Sequence, residues 1–317
     1  MRTLLSILVF CLAFSKINAQ DFSANRSDSD TTVAVEKAIQ NRVKLVAAGS
    51  LAAYGGTTIA LYSTWYKNYP QSSFHFFNDN KEWLQVDKAG HTWSSYSEGR
   101  AGIALWRWTG LPRKKVIWIG GLSGLTYQSI IEVMDGFSSE WGFSWGDYAA
   151  NVIGTGLLIG QELRWNEQRI QLKFSAHPKK YDDYFLKNRA TNIYGSNLPE
   201  RLLKDYNAQT YWLSTNIRSI FKDSNFPSWL NIAVGYGAGG MFGAADNKWT
   251  DENGTKYDRT DIKRYRQYYI APDVDFTKLH TKSEWLKATF FILNSFKFPS
   301  PSLEFSNNKV KVNWLHF

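Results

Sequence analysis

The sequence predicts an α+β protein in which an N-terminal, membrane-associated four-helix bundle is followed by a β-rich C-terminal region. Three observations carry this prediction. Residues 30–166 hold four long apolar segments rich in Gly and Ala, with tryptophans at their ends. From Gln168 onward, apolar and polar residues alternate at every second position. Residues 1–19 read as an export signal. The partition is therefore 1–19 signal peptide, 20–166 helical bundle and 167–317 β-rich region.

In the signal, Arg2 supplies the positive start, residues 4–14 the apolar run, and Ile17, Asn18 and Ala19 the exit. Cys11 follows the bulky Val9 and Phe10 instead of the small residues that lipoprotein processing requires, so no lipid anchor is expected. Cleavage removes Arg2, Lys16 and the one cysteine but no acid, lowering the formal charge from +9 to +7. That leaves no disulfide or thiolate chemistry. The hydrophobic content of 44% excludes low-complexity disorder, and a mean hydropathy of -0.37 limits any membrane part to a minority of the chain or to an unusually polar one. A basic exported protein meets membrane lipids or an anionic envelope molecule, and no nucleic-acid motif is present. Oligomeric state is not legible.

The helical segments are 33–62, 84–108, 116–134 and 148–163. Asn68 with Pro70, Gly110 with Pro112, and Asp135 with Gly136 punctuate them. The second and third links are short, which predicts antiparallel neighbours. Gly120 with Gly124, and Gly156 with Gly160, put small residues four apart and allow close backbone approach. Trp65, Trp83, Trp106, Trp108, Trp118, Trp141, Trp145 and Trp165 stand at segment ends, where an indole meets a membrane-water interface. Aromatic capping of a soluble bundle is the competing reading. Basic residues before segment one, between two and three, and after four put both termini in the cytoplasm if the segments cross the inner membrane. A cleaved signal puts the new N-terminus outside. Export followed by association with an envelope membrane, on the periplasmic side or in the outer membrane, resolves the conflict; the inner membrane is the alternative.

In the second half, Ile170, Leu172 and Phe174, then Leu230, Ile232, Val234 and Tyr236, then Val310, Val312 and Trp314 mark strands. Residues 265–276 form a strand interrupted at Pro272, and 202–206 and 285–296 are helical. The chain ends in Phe317, as outer-membrane barrels do, but five or six strands fall short of the roughly eight a closed barrel needs. A small sheet packed on the bundle or a membrane is expected. Gly235, Gly237, Gly239 and Gly240 lack the Lys and the context of a phosphate loop and read as strand or bulge glycines. Arg259, Lys263, Arg264 and Arg266 read as a basic strand edge or a membrane contact.

Seven polar residues form the candidate site. Asp87, Lys88 and His91 open segment two, with Asp87 and His91 on one helical face; Glu132 and Asp135 close segment three; Asp147 and Asn151, again four apart, open segment four. In an antiparallel bundle these ends share one edge. Three readings stay open. In a structural network, Lys88 pairs with Asp147 or Glu132 and His91 with Asn151. In a general acid-base or anion-binding site, His91 moves protons and Lys88 holds an anion. In a metal site, His91, Glu132 and Asp147 bind a divalent ion; without an HExxH or CxxC motif, no cofactor is the first expectation and a divalent metal the alternative. His75, His177, His280 and His316 lack comparable partners and are expected on the surface or in strands.

The stretch Val86-Asp87-Lys88-Ala89-Gly90-His91, then Glu132 with Asp135-Gly136-Phe137-Ser138, then Ser144-Trp145-Gly146-Asp147 with Asn151 and Gly154, resembles the YfiM-like family of predicted periplasmic lipoproteins of unknown function. Residues 204–214 and 234–237 are similar to its long-chain members. More distantly, the Asp-Lys-x-x-His element and the later Asp with Asn four residues on are similar to VanZ-like membrane proteins. The resemblance implies an envelope protein with no assigned reaction, and Cys11 departs from its lipoprotein label. Two functions are therefore expected to compete: a non-enzymatic protein, structural or accessory to envelope maintenance, and a hydrolase or binding protein for an anionic envelope lipid or wall precursor that uses His91, Lys88, Glu132 and Asp147.

Overall fold

The computed structural model describes residues 28–64, 66–222, 225–251 and 253–316, and the chain is α+β. The signal segment with Cys11, together with Trp65 and Phe317, lies outside the described residues. Two units divide the chain: Arg2–Phe77 with Ser94–Glu167, and Asn78–Trp93 with Gln168–Phe317. The units are not sequential, because residues 78–93 belong with the strands.

The helical unit holds α1 (Asp28–Thr64), most of α2 (Val86–Arg107), α3 (Arg113–Gly136) and α4 (Trp145–Trp165). Pro112 precedes α3, Ser144 caps α4 by accepting from the Asp147 N–H, and left-handed Asn166 ends it. Helices α2 and α3 touch backbone to backbone. A Cβ on Gly120 would lie 2.5 Å from the Ile103 nitrogen, and one on Gly124 2.2 Å from the Ser95 oxygen. Gly156 and Gly160 behave differently: both face open space, so their spacing serves no close helix contact among the described residues. Helix α1 joins this unit at its C-terminal end, where Leu61 and Tyr66 pack with Tyr127 and Ile131, and Tyr54 stacks on Tyr127 with ring centres 5.1 Å apart. The rest of α1 is largely exposed. Within it, Thr32–Ser63 is long and apolar enough to cross a membrane by length and composition, and no other described helix is.

The other unit is built on a six-stranded antiparallel sheet. In chain order the elements are β1 (Ile170–Ala176), α5 (Tyr184–Tyr194), α6 (Leu198–Lys204), β2 (Gln209–Asn216), α7 (Ile217–Ile220), β3 (Leu230–Gly239), β4 (Lys248–Thr250), β5 (Lys256–Asp258), β6 (Tyr265–Val274), α8 (Glu284–Leu293), β7 (Ser300–Ser306) and β8 (Lys309–His316). The sheet order is β1-β2-β3-β6-β7-β8, and β4-β5 is a separate hairpin. Pro272 does not interrupt β6: it stays paired with Ile232 of β3, while β7 pairs only with residues 267–270, so the missing N–H falls where β6 has one partner. Gly235 leaves room for Trp212 on the neighbouring strand, since a Cβ there would lie 2.7 Å from the indole.

The sheet curls strongly. Lys173 of β1 reaches Asp273 of β6 at 2.7 Å with both side chains fully buried. The segment ahead of β7 covers the free edge of β1, with the Phe174 N–H donating to Ser295 O and the Lys297 N–H to Phe174 O. Residues turned to the concave side are largely polar, and Ser214, Asn231, Gln267, Asp273, Ser302 and Glu304 are all buried.

Candidate functional site

The seven residues fall into two sets, one in each unit. Asp87, Lys88 and His91 stand in the first turns of α2, in the unit that carries the sheet. A turn at Glu82–Gln85 leads into them with left-handed backbone at Trp83, Leu84 and Gln85, at φ of 46°, 49° and 63°. Side-chain-bearing residues avoid this region at a cost of roughly 1–3 kcal/mol each. Three contacts hold the turn: the Trp83 N–H donates to Ala244 O at 2.8 Å, the Tyr236 hydroxyl to Leu84 O, and Arg266 to Gln85 Oε1 at 2.6 Å. Gly90 then lets the helix approach β2, because a Cβ there would lie 2.9 Å from the Tyr211 hydroxyl.

This turn delivers Asp87 into a set of donors. The Tyr206 hydroxyl donates to Asp87 Oδ1 at 2.6 Å, His91 Nε2 lies 4.0 Å from the same oxygen, and Lys88 Nζ lies 3.5 Å from Asp87 Oδ2. Burial pushes the Asp87 carboxyl up, but His91, the Lys88 ammonium and the Tyr206 hydroxyl outweigh it and hold the group below the usual carboxylate range. Lys88 Nζ also lies 2.7 Å from Asp79 Oδ1. Asp79, in a loop, carried no sequence signal; Tyr206 lay in the stretch similar to long-chain family members, but nothing in the sequence tied it to Asp87, more than a hundred residues upstream.

Glu132, Asp135, Asp147 and Asn151 are all buried in the helical unit. Ser144 ties the end of α3 to the start of α4: its N–H donates to Glu132 Oε2 at 3.3 Å, and its Oγ accepts from the Asp147 N–H at 3.1 Å. Asp147 in the first turn of α4 also favours the helix dipole. Tyr66 donates to Asp135 Oδ1 at 2.6 Å. The Asn151 amide is fully buried and makes no hydrogen bond to the described protein groups.

Polar residues that the sequence reading passed over continue this interior. Gln128 Nε2 donates to both carboxylate oxygens of Glu98, at 2.9 and 3.0 Å. Glu162 pairs with Arg107, and Arg113 reaches the Glu162 carbonyl and Asn166 Oδ1. The available signal for Glu98, Gln128 and Glu162 was their position inside segments otherwise apolar; Arg113 belongs to the basic link between segments two and three. In the sheet unit, His316 packs on Tyr269 with ring centres 4.4 Å apart and helps line a polar cavity of about 170 Å³ with His177, Gln267 and Glu304.

A family described as predicted periplasmic lipoprotein (DUF2279) matches residues 75–160. No curated protein and no solved structure matches the chain. The matched span is a minority of the chain, yet it contains all seven candidate residues, and the family it points to is one of the cell envelope with no assigned activity.

Proposed function

We propose that the protein is a membrane-associated component of the cell envelope, on the periplasmic side or in the outer membrane, with a structural or accessory role in envelope maintenance. In this reading the helical unit is a four-helix membrane-associated bundle whose interior polar groups fix helix register. One observation carries it: beside apolar core residues such as Ile103, Ile117, Tyr127 and Leu158, the helical unit buries charged and amide side chains while leaving large apolar ones exposed. Glu98, Gln128, Glu132, Asp147, Asn151 and Glu162 are buried, whereas Trp118, Val133, Trp145 and Ile153 are 49%, 45%, 62% and 63% exposed. Water selects the opposite arrangement, and exposed apolar area on this scale marks contact with lipid or another apolar partner. Helix α1 supplies a further apolar surface.

The state of Lys88 supports a structural role over an anion clamp. With Asp79 at 2.7 Å and Asp87 at 3.5 Å, its ammonium already faces two carboxylates. Cell fractionation followed by an alkaline carbonate wash tests the reading. The protein is expected to stay with the envelope membranes through the wash; recovery in the soluble periplasmic fraction would overturn it.

A further inference from the structure

We infer that the convex face of the six-stranded sheet is a lipid-contacting wall that lies against the acyl chains of an anionic envelope bilayer. This rests on the membrane reading above and extends it from the helices to the strands. Strand register brings one aliphatic residue from each of five neighbouring strands into a single row: Leu213, Val234, Ile270, Leu303 and Val312. All five are exposed, from 41% at Ile270 to 56% at Val312. The next row is aromatic over four strands, with Tyr211, Tyr236, Tyr268 and Phe305 in register; Tyr268 and Phe305 are exposed, while Tyr211 and Tyr236 pack against the segment that opens α2. No Asp, Glu, Lys or Arg stands in either row.

Toward the other end of the strands, the β2–β3 connection carries exposed Phe221, Phe226 and Trp229. Trp229 and Tyr236 lie seven residues apart along the chain, about 24 Å at an antiparallel strand's rise. At the 35–45° tilt of strands that face lipid, that is about 17–20 Å along the membrane normal, the greater part of the roughly 25 Å apolar band edged by aromatic girdles. Charge complements the fit. Lys263, Arg266 and Lys309 are exposed just beyond the Tyr236 row, at the level where anionic headgroups would meet them.

The concave face explains why such a wall is stable. Its polar groups satisfy one another: Asp273 accepts from Ser214 Oγ at 2.6 Å and pairs with Lys173, and Asn231 Nδ2 donates to Ser214 Oγ at 2.9 Å. A water-soluble sheet buries its aliphatic rows and exposes its polar ones; this one does the reverse, as strands in lipid do. A second copy of the chain is the rival occupant. The exposed aromatics at the two ends of the apolar band, Tyr268 and Phe305 at one and Phe221, Phe226 and Trp229 at the other, and the basic residues beyond the first, favour a bilayer.

The full chain in a Cys11→Ser background, reconstituted in vesicles of phosphatidylcholine and phosphatidylglycerol, tests the inference. Bimane is attached at Val234→Cys and at Ile270→Cys on the next strand, at Thr255→Cys in the polar hairpin, and at Ile153→Cys to report on the helical unit. Lipids brominated along their acyl chains are expected to lower emission about twofold or more at 234 and 270, where chains cover the face, and to leave 255 unchanged. Quenching at 153 without quenching at 234 and 270 overturns the inference alone. Quenching at 234 and 270 without quenching at 153 overturns the helical reading alone. Quenching at none of these sites overturns both, and a concentration-dependent dimer that leaves 234 unquenched identifies a second copy as the occupant and equally overturns the inference.

Discussion

Asp273→Ala is expected to destabilise the sheet unit by about 3–5 kcal/mol, the scale on which breaking a buried ion pair acts. Asp273 is the anionic centre of the concave face. Its Oδ2 lies 2.7 Å from Lys173 Nζ and accepts from Ser214 at 2.6 Å; its Oδ1 lies 3.9 Å from Lys297 Nζ and accepts from the Phe298 N–H at 3.0 Å. Truncation leaves two buried ammonium groups without their counter-charge, and the cost comes from those stranded charges more than from the lost pair itself. Strands β1 and β6 and the segment ahead of β7 would loosen together, because Lys173, Asp273 and Lys297 come one from each. Denaturant midpoints of the detergent-solubilised chain measure the effect. A shift equivalent to less than about 1 kcal/mol, the scale of an exposed pair, would mean that the concave side is wet and the pair screened.

The second large effect is expected at Gly124. A methyl group there would sit 2.2 Å from the Ser95 carbonyl oxygen and 2.8 Å from the Gly99 nitrogen, both backbone atoms that cannot swing aside. Gly124→Ala is therefore expected to cost about 1–3 kcal/mol by forcing α2 and α3 apart, despite the better helix propensity of alanine. Gly156→Ala supplies the contrast. Its new methyl meets open space, so it is expected to be neutral or to stabilise by about 0.5–1 kcal/mol. Thermal unfolding of the two variants side by side separates close packing from simple propensity. Equal shifts in both would contradict the contact between α2 and α3.

Comparing these glycines shows what the sequence could and could not reveal. Both pairs have the same four-residue spacing, and spacing alone does not say which helix face meets a neighbour. The helices were legible because their apolar segments are long and end at turn residues such as Pro112 and Gly136. Strands β1, β3 and β8 were legible from strict alternation. Strands β2 and β7 were not: Ser302, Glu304 and Ser306 alternating with Leu303 and Phe305 read as a polar loop unless serines are allowed to face inward. Alternation fixes the period of a strand but not which set of side chains faces water. The aliphatic set on β3, including Ile232 and Val234, is the exposed one, while Asn231 and Ala233 are buried.

The candidate site was legible in the same partial way. Helical spacing identified Asp87 with His91 and Asp147 with Asn151. The link from Glu132 to the cap of α4 runs through Ser144, and Lys88 pairs with Asp79 as well as Asp87. Both depend on loops whose course no periodicity encodes. Tyr206 reaches Asp87 because the left-handed turn at residues 83–85 aims the start of α2, and such backbone at Trp, Leu and Gln has no sequence signature.

In the proposed arrangement lipid, not water, surrounds the exposed apolar faces. Flotation of the purified full chain with vesicles of uncharged phosphatidylcholine at high salt tests it most directly, because screening removes the attraction of a basic surface for headgroups and leaves apolar contact. The chain is expected to float with the vesicles and to remain with them as salt rises. A chain that stays at the bottom of the gradient, or floats only with anionic vesicles at low salt, would contradict the claim.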